Sequence, residues 1–109
     1  MNDITSFLTA EGTPERCGVI TRDGEVLELS NIAVDPIAGF RFDPSEVVIH
    51  FSDALATWHT HPGADPNLSD ADYAGFLQWP DLDHLIVGHR RGQPVTIRYQ
   101  VIDDVVVMA

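Results

Sequence analysis

The second half of this chain carries a strand-to-helix unit that restricts its fold more than any other feature. Ala54 to Thr60, with Thr57, Trp58 and Thr60 suited to a pleated surface, reads as a strand that Pro62 ends. Leu68 to Trp79 reads as a helix. Ser69 is placed as its N-cap, Asp72 at the third helical position completes a capping box, and Leu68 with Tyr73 fits a hydrophobic staple. Trp79-Pro80 stops it, because proline disfavours a helical residue before it. Between the two, Gly63 to Asn67 forms a loop that can return the helix over one face of the strand.

The remaining signals are mostly strands. Cys17 to Thr21 and Val26 to Ser30 flank Arg22-Asp23-Gly24, and Asp-Gly between such runs is a strong hairpin signal. Phe40 to Phe42, His84 to Gly88, Val95 to Val101 and Val105 to Met108 read as further strands. Asp43-Pro44-Ser45-Glu46 has the makings of a helix start, with Asp43 as cap, Pro44 at the first position and Glu46 reaching back. Val47-Val48-Ile49 prefers a strand, so two readings of that segment stand open. Ile4, Phe7 and Leu8 have helical spacing, for at most two turns before Gly12-Thr13-Pro14. No repeat or long linker divides the 109 residues. The expectation is a single domain over 1–109, of α+β class, with a mixed or antiparallel β-sheet flanked by helices.

Charge narrows what such a domain addresses. Asp and Glu total 17 against 6 Lys and Arg, a formal net charge of -11. That surface repels phosphates and anionic lipid, so neither nucleic acid nor membrane is expected as a partner. A 44% hydrophobic fraction at this length supports an ordinary core, so a bound metal would serve chemistry rather than folding. Cys17 is the single cysteine, which leaves no internal disulfide and suits a reducing compartment. Met1 to Gly12 lacks the basic start and apolar run of a signal peptide, and no stretch approaches the roughly 20 apolar residues of a membrane helix. The expected location is the cytoplasm.

His59 and His61 stand two apart on the predicted strand, so both imidazoles project to one face and can share one metal. Asp72, in the first turn of the returning helix, becomes a third ligand. Two histidines and a carboxylate leave a fourth position open to water, the arrangement of a catalytic zinc site. Each part also has a plainer explanation. The capping box alone accounts for Ser69 and Asp72, and histidine pairs at this spacing occur without metal. The combination carries the argument.

That combination resembles a known family. His59-Thr60-His61-Pro62, with Asp72 ten residues after Pro62 and Ser69 three before Asp72, is similar to the JAMM pattern of the JAB/MPN family. Pro14-Glu15-Arg16-Cys17-Gly18-Val19-Ile20 is similar to that family's opening segment, in which a Glu precedes a Cys-Gly step by two residues. Asn31, Asp35-Pro36 and Phe40 resemble the phage tail-assembly members in particular. The likeness runs from Pro14 to Gly88. It implies a JAB/MPN (cytidine-deaminase-like) architecture and a zinc-dependent hydrolase that cleaves a peptide or isopeptide amide bond. His59, His61 and Asp72 would hold Zn2+, Glu15 would take a proton from water and pass it to the leaving amine, and Ser69 would stabilise the oxyanion. It further implies a peptide or protein substrate, a phage or prophage origin and phage tail proteins as partners. The alternative is a non-catalytic tail-assembly module that keeps the metal site. The chain departs from the family in its short N-terminal helix and short insertion segments, and no cysteine-peptidase domain follows, so ubiquitin is not the expected substrate.

Other residues attract simpler readings. Nothing local marks Glu15, which alone would be a surface carboxylate. Cys17 is expected as a buried strand residue, and His50, His84 and His89 as ordinary, partly exposed histidines. Trp58 and Trp79 are expected in the core, with a substrate groove as the other option. Val105-Val106-Val107 offers a terminal strand edge, from which pairing into a homodimer is expected.

Overall fold

Six strands in one mixed sheet organise the chain, which a computed structural model describes over residues 3–109. They are β1 (Cys17–Thr21), β2 (Val26–Leu29), β3 (Ala54–His61), β4 (Asp83–Arg90), β5 (Gln93–Ile102) and β6 (Val105–Met108), in the order β2-β1-β3-β4-β5-β6. β3 and β4 are parallel, and the other neighbouring pairs are antiparallel. Two short helices, α1 (Pro44–His50) and α2 (Asp70–Leu77), accompany the sheet. A parallel pair cannot be closed by a hairpin, so β3 returns to β4 through a crossover, and that crossover contains α2. The α+β class with a mixed sheet is therefore the one expected.

Local chemistry explains the turns. Thr21 Oγ1 accepts from the Glu25 N–H at 3.0 Å, and Gly24 takes a φ of 90° to close the β1–β2 hairpin. Arg91 and Gly92 (φ 53° and 75°) join β4 to β5, and Asp103 and Asp104 (φ 52° and 62°) join β5 to β6. Consecutive positive φ values give turns whose twist matches the flanking strands.

Side-chain alternation along β3 separates the two faces of the sheet. Ala56 and Trp58 join Ile4, Ile20, Leu85 and Val87 in one apolar cluster, covered by Phe7 and Leu8. Residues of opposite parity, including Thr57, His59 and His61, share the side that bears Phe76, Ile86, Ile97 and Tyr99. Gly18 makes room for Trp58: a Cβ there would lie 2.7 Å from the indole and 1.9 Å from the Leu27 carbonyl oxygen.

Several local expectations change. Phe40–Phe42 forms no strand, only the single bridge Asn31–Phe42, because the preceding loop is organised by the Asn31 side chain rather than by a ladder. The open segment 43–49 is helical. Asp43 caps it by accepting from the Ser45 N–H at 2.9 Å, and strand propensity counts for little where no strand pairs with it. Glu46 does not reach back to the cap; it accepts from the Ser30 N–H. α2 is shorter than Leu68 to Trp79, starting after the Ser69 cap and ending at Leu77. The N-terminal segment is one 3-10 turn, Thr5–Phe7. Among the described residues no helix is long and apolar enough to cross a membrane.

Candidate metal centre

The capping box at the start of α2 also builds part of the site. Ser69 Oγ accepts from the Asp72 N–H at 3.0 Å, while Asp72 Oδ2 accepts from the Ser69 N–H at 3.1 Å. The same carboxylate faces β3. Its Oδ1 lies 3.1 Å from His59 Nε2 and its Oδ2 lies 3.1 Å from His61 Nε2, and the two Nε2 atoms are 3.1 Å apart.

The loop between β3 and α2 is pressed against the sheet. A Cβ at Gly88 would come within 2.4 Å of the Ala64 carbonyl oxygen, so only glycine lets the loop lie this close. The His89 N–H donates to the Ala64 carbonyl at 2.7 Å, and Tyr99 Oη donates to the Pro66 carbonyl at 3.0 Å. So fixed, the loop offers the Asp65 carbonyl to His61 Nδ1 at 2.9 Å. A carbonyl only accepts, so Nδ1 carries a proton, and Nε2, facing His59 and Asp72, is the nitrogen that could ligate a metal.

Glu15 arrives from the opposite side through strand register. β1 pairs antiparallel with β3, Cys17 against His59. Arg16 and Thr60 extend the pairing, and Glu15 thereby falls beside His61. Ligand atoms of Glu15, His59 and His61 lie within 4.8 Å of one another, a group that can hold a metal ion. The cluster as a whole carries more lone pairs than protons, and His59 Nδ1 is buried with no hydrogen-bond partner among the described residues. Acceptors about 3 Å apart suit a small divalent cation, whose nitrogen and oxygen ligands stand roughly 2 Å from it.

The site's electrostatics follow from burial and neighbours. Burial pushes the Glu15 carboxyl up to about 7; the His61 ring partly offsets this and the Asp72 carboxylate adds to it. Burial works against ionised Asp72 as well, but hydrogen bonds from His59 and His61 outweigh it and hold this carboxyl far below its usual range. His59, fully enclosed, is pushed down by burial, against the pull of the Asp72 carboxylate. For His61 burial is outweighed by its bonds to Asp72 and the Asp65 carbonyl, and its pKa rises.

Two contributors were not legible as site residues. Phe40 stacks on His59 with ring centroids 4.3 Å apart and shields it. Asn31 Nδ2 donates to the carbonyls of Glu15 at 2.9 Å and Gly39 at 3.1 Å, and its Oδ1 accepts from the N–H groups of Ala33 and Arg41. It thus ties the Phe40 loop to the Glu15 segment. Both residues contributed to the family likeness, but no local pattern announces what they touch.

The remaining histidines differ from one another. His84 is not partly exposed: it is buried, because its partners lie on β3 and at the end of α2. Thr57 Oγ1 donates to its Nδ1 at 2.6 Å, its Nε2 donates to the Trp79 carbonyl at 2.9 Å, and its ring stacks on Phe76 at 4.3 Å. His89 is half-buried and accepts from the Gly63 N–H; His50 is half-buried at the end of α1. Cys17 is buried as expected, and burial, with the carboxylates of Glu28, Glu46 and Glu15, pushes its thiol up to about 12, so it is no nucleophile. Trp58 is in the core, whereas Trp79 packs on Phe51 and lines a groove of about 840 Å³ that also touches Glu15, His61, Ser69 and Asp72.

No family model matches the chain. A desampylase of Haloferax volcanii is 32% identical over 92 residues, which cover 71% of this chain and 66% of that protein. The chain thus spans just under two thirds of the length of this curated relative. A solution structure of a Desulfitobacterium hafniense protein superposes with a TM-score of 0.68 at 26% identity, covering 88% of this chain and 75% of that one. A Salinibacter ruber protein shares the fold, with a TM-score of 0.54 at 16% identity over 90% of this chain and 76% of that one. In sequence, then, the chain is similar to a desampylase along most of its length, and in fold to two bacterial proteins.

Proposed function

We propose that this chain is a JAB/MPN-type metallohydrolase of the JAMM pattern, cleaving a peptide or isopeptide amide bond. The observation that carries the reading is that two separate segments meet the His59–His61 pair of β3: ligand atoms of Glu15, His59 and His61 lie within 4.8 Å of one another, and Asp72 lies 3.1 Å from each histidine Nε2. Similarity to a desampylase supports hydrolase chemistry of this type.

In this reading His59, His61 and Asp72 hold zinc. A zinc ion would polarise the scissile carbonyl and bring the pKa of a water down toward about 7. The protein's own groups do the rest. His61 keeps its ligating lone pair free by donating Nδ1–H to the Asp65 carbonyl, and Asp72 is oriented by the Ser69 N–H. Glu15 takes a proton from the attacking water and returns it to the leaving nitrogen. Ser69 Oγ accepts from the Asp72 N–H yet retains its own proton, which it donates to the developing oxyanion. Phe40 covers His59 and keeps water from that flank.

Glu15→Gln is the direct test. It should keep zinc, measured by elemental analysis, while turnover of a cleavable peptide or isopeptide falls by roughly 100-fold or more. A variant that cleaves as well as the unmodified protein removes Glu15 from this role. Protein that takes up no zinc after reconstitution removes the reading altogether.

A further inference from the structure

The two edges of the sheet are finished differently. β2, at one edge, carries Glu28, paired with Arg16 at 2.6 Å. The chain just beyond it is covered by the Asn31–Phe42 bridge and by Glu46, which accepts from the Ser30 N–H. Charge and cover of this kind keep an edge from recruiting another strand. β6, at the other edge, reads Val105-Val106-Val107-Met108, without charge, proline or bulge, and pairs on one side only.

Backbone direction alternates along β6. The Ala109 N–H donates to the Arg98 carbonyl at 2.8 Å, so Val105, Val107 and Ala109 turn their peptide groups toward β5. The N–H and C=O of Val106 and Met108 then point outward, with no partner among the described residues. The side chains are apolar on both faces of this edge. Val106 packs on the Phe76 cluster and Met108, on the same face, is 63% exposed, while exposed Val105 stands beside exposed Ile102 on the other.

Two features decide what fits there. The outward groups, at 106 and 108, lie symmetrically about Val107. A second copy running antiparallel, with a two-fold axis at Val107, sets Val106 against Met108 of the other copy and Met108 against Val106. Each outward N–H then meets an outward carbonyl. Charge chooses the direction. Asp103 and Asp104 stand at one end of β6. A parallel neighbour would bring them beside the same residues of the other copy, at a strand spacing of roughly 4.8 Å. The antiparallel arrangement holds the two Asp104 residues roughly 20 Å apart, beyond the screening length of about 8 Å at physiological salt. We infer that β6 is a self-association edge, through which two copies join their sheets antiparallel about a two-fold axis at Val107. A strand of four residues makes a small contact, so the dimer is reversible and depends on concentration.

Analytical sedimentation of the full chain, from about 1 μM to about 1 mM, tests this. The mass should rise from one chain toward two. Val106→Pro removes an outward N–H and leaves the bonds to β5 intact, since an edge strand tolerates proline there. Met108→Lys places a charge on the same edge. Each should raise the dissociation constant about tenfold or more, with circular dichroism unchanged. The register is read by cysteine pairing. On the axis the two Val107 residues form a non-hydrogen-bonded pair with Cα atoms about 4.5 Å apart, within disulfide reach. Val107→Cys should therefore link into a covalent dimer on mild oxidation. Val106→Cys, which lies diagonally from its own copy, should not. Cys17 is buried and does not compete. A monomer throughout the range, or a dimer that Val106→Pro and Met108→Lys leave as tight as before, overturns the inference. Linking through Val106→Cys but not Val107→Cys overturns the axis at Val107.

Discussion

His59 on β3 and His84 on β4 are both buried, and both approach the Phe76 ring, with centroid separations of 6.1 and 4.3 Å. Their surroundings use them in opposite ways. Around His84 each ring nitrogen has one partner of the right kind, a hydroxyl donor on Nδ1 and a carbonyl acceptor for Nε2. Around His59, Nδ1 has none among the described residues, and Nε2 meets another imidazole nitrogen and a carboxylate. Burial and aromatic packing are common to both, so neither marks a site. Surplus acceptors do: a neutral pair of donors and acceptors is finished, while a cluster rich in lone pairs requires a cation or protons.

The largest effect expected from this contrast is on metal. His59→Ala should reduce zinc from about one per chain to background, while circular dichroism shows the fold retained. His84→Ala should do the reverse. It should keep zinc in the folded protein but lose on the order of 3 kcal/mol in urea unfolding, through the cavity and two unpaired partners. If His84→Ala lost zinc as completely as His59→Ala, the distinction would collapse. Thr57→Val removes the single donor to His84 Nδ1 and should cost about 1–2 kcal/mol with zinc unchanged; no loss would mean that the hydroxyl contributes nothing.

The smallest effect is in pH. Burial holds His84 below its ordinary 6.5, so the unfolded chain binds the proton more readily than the folded one. This contribution to stability is complete above pH 6.5 and declines as pH falls below it, by at most about 1.4 kcal/mol per pH unit. His84→Gln should therefore show a shallower loss between pH 7 and pH 5 than the unmodified protein. Parallel slopes would assign the acid sensitivity to other groups.

The difference between these histidines also shows what the sequence makes legible. His59, His61, Ser69 and Asp72 are readable because their relations are local: strand alternation and a capping box reach no further than four residues. Most strands are readable for the same reason, through their β-branched runs and turn residues. Glu15 lies more than forty positions from His61, and only strand register joins them. No periodicity reports that Phe40 will cover His59 or that Thr57 and Trp79 will enclose His84, since those contacts depend on how the crossover and the loop after β2 settle. The 43–49 segment failed differently. Two local preferences conflicted there, and the cap with Pro44 prevailed because β-propensity requires a neighbouring strand to act on.

Asp72 Oδ2 serves two masters, accepting from the Ser69 N–H that begins α2 and facing the His61 nitrogen. With a cation held by this carboxylate, as proposed, opening of the first helical turn and release of the ion would be linked equilibria. Whatever tightens one tightens the other by the same factor. At free metal near a hundred times its dissociation constant, roughly 2.7 kcal/mol is added against any opening that releases the ion. Amide exchange at Asp72 and Tyr73 would then slow in step with zinc occupancy, so that the helix terminus itself reports how full the site is.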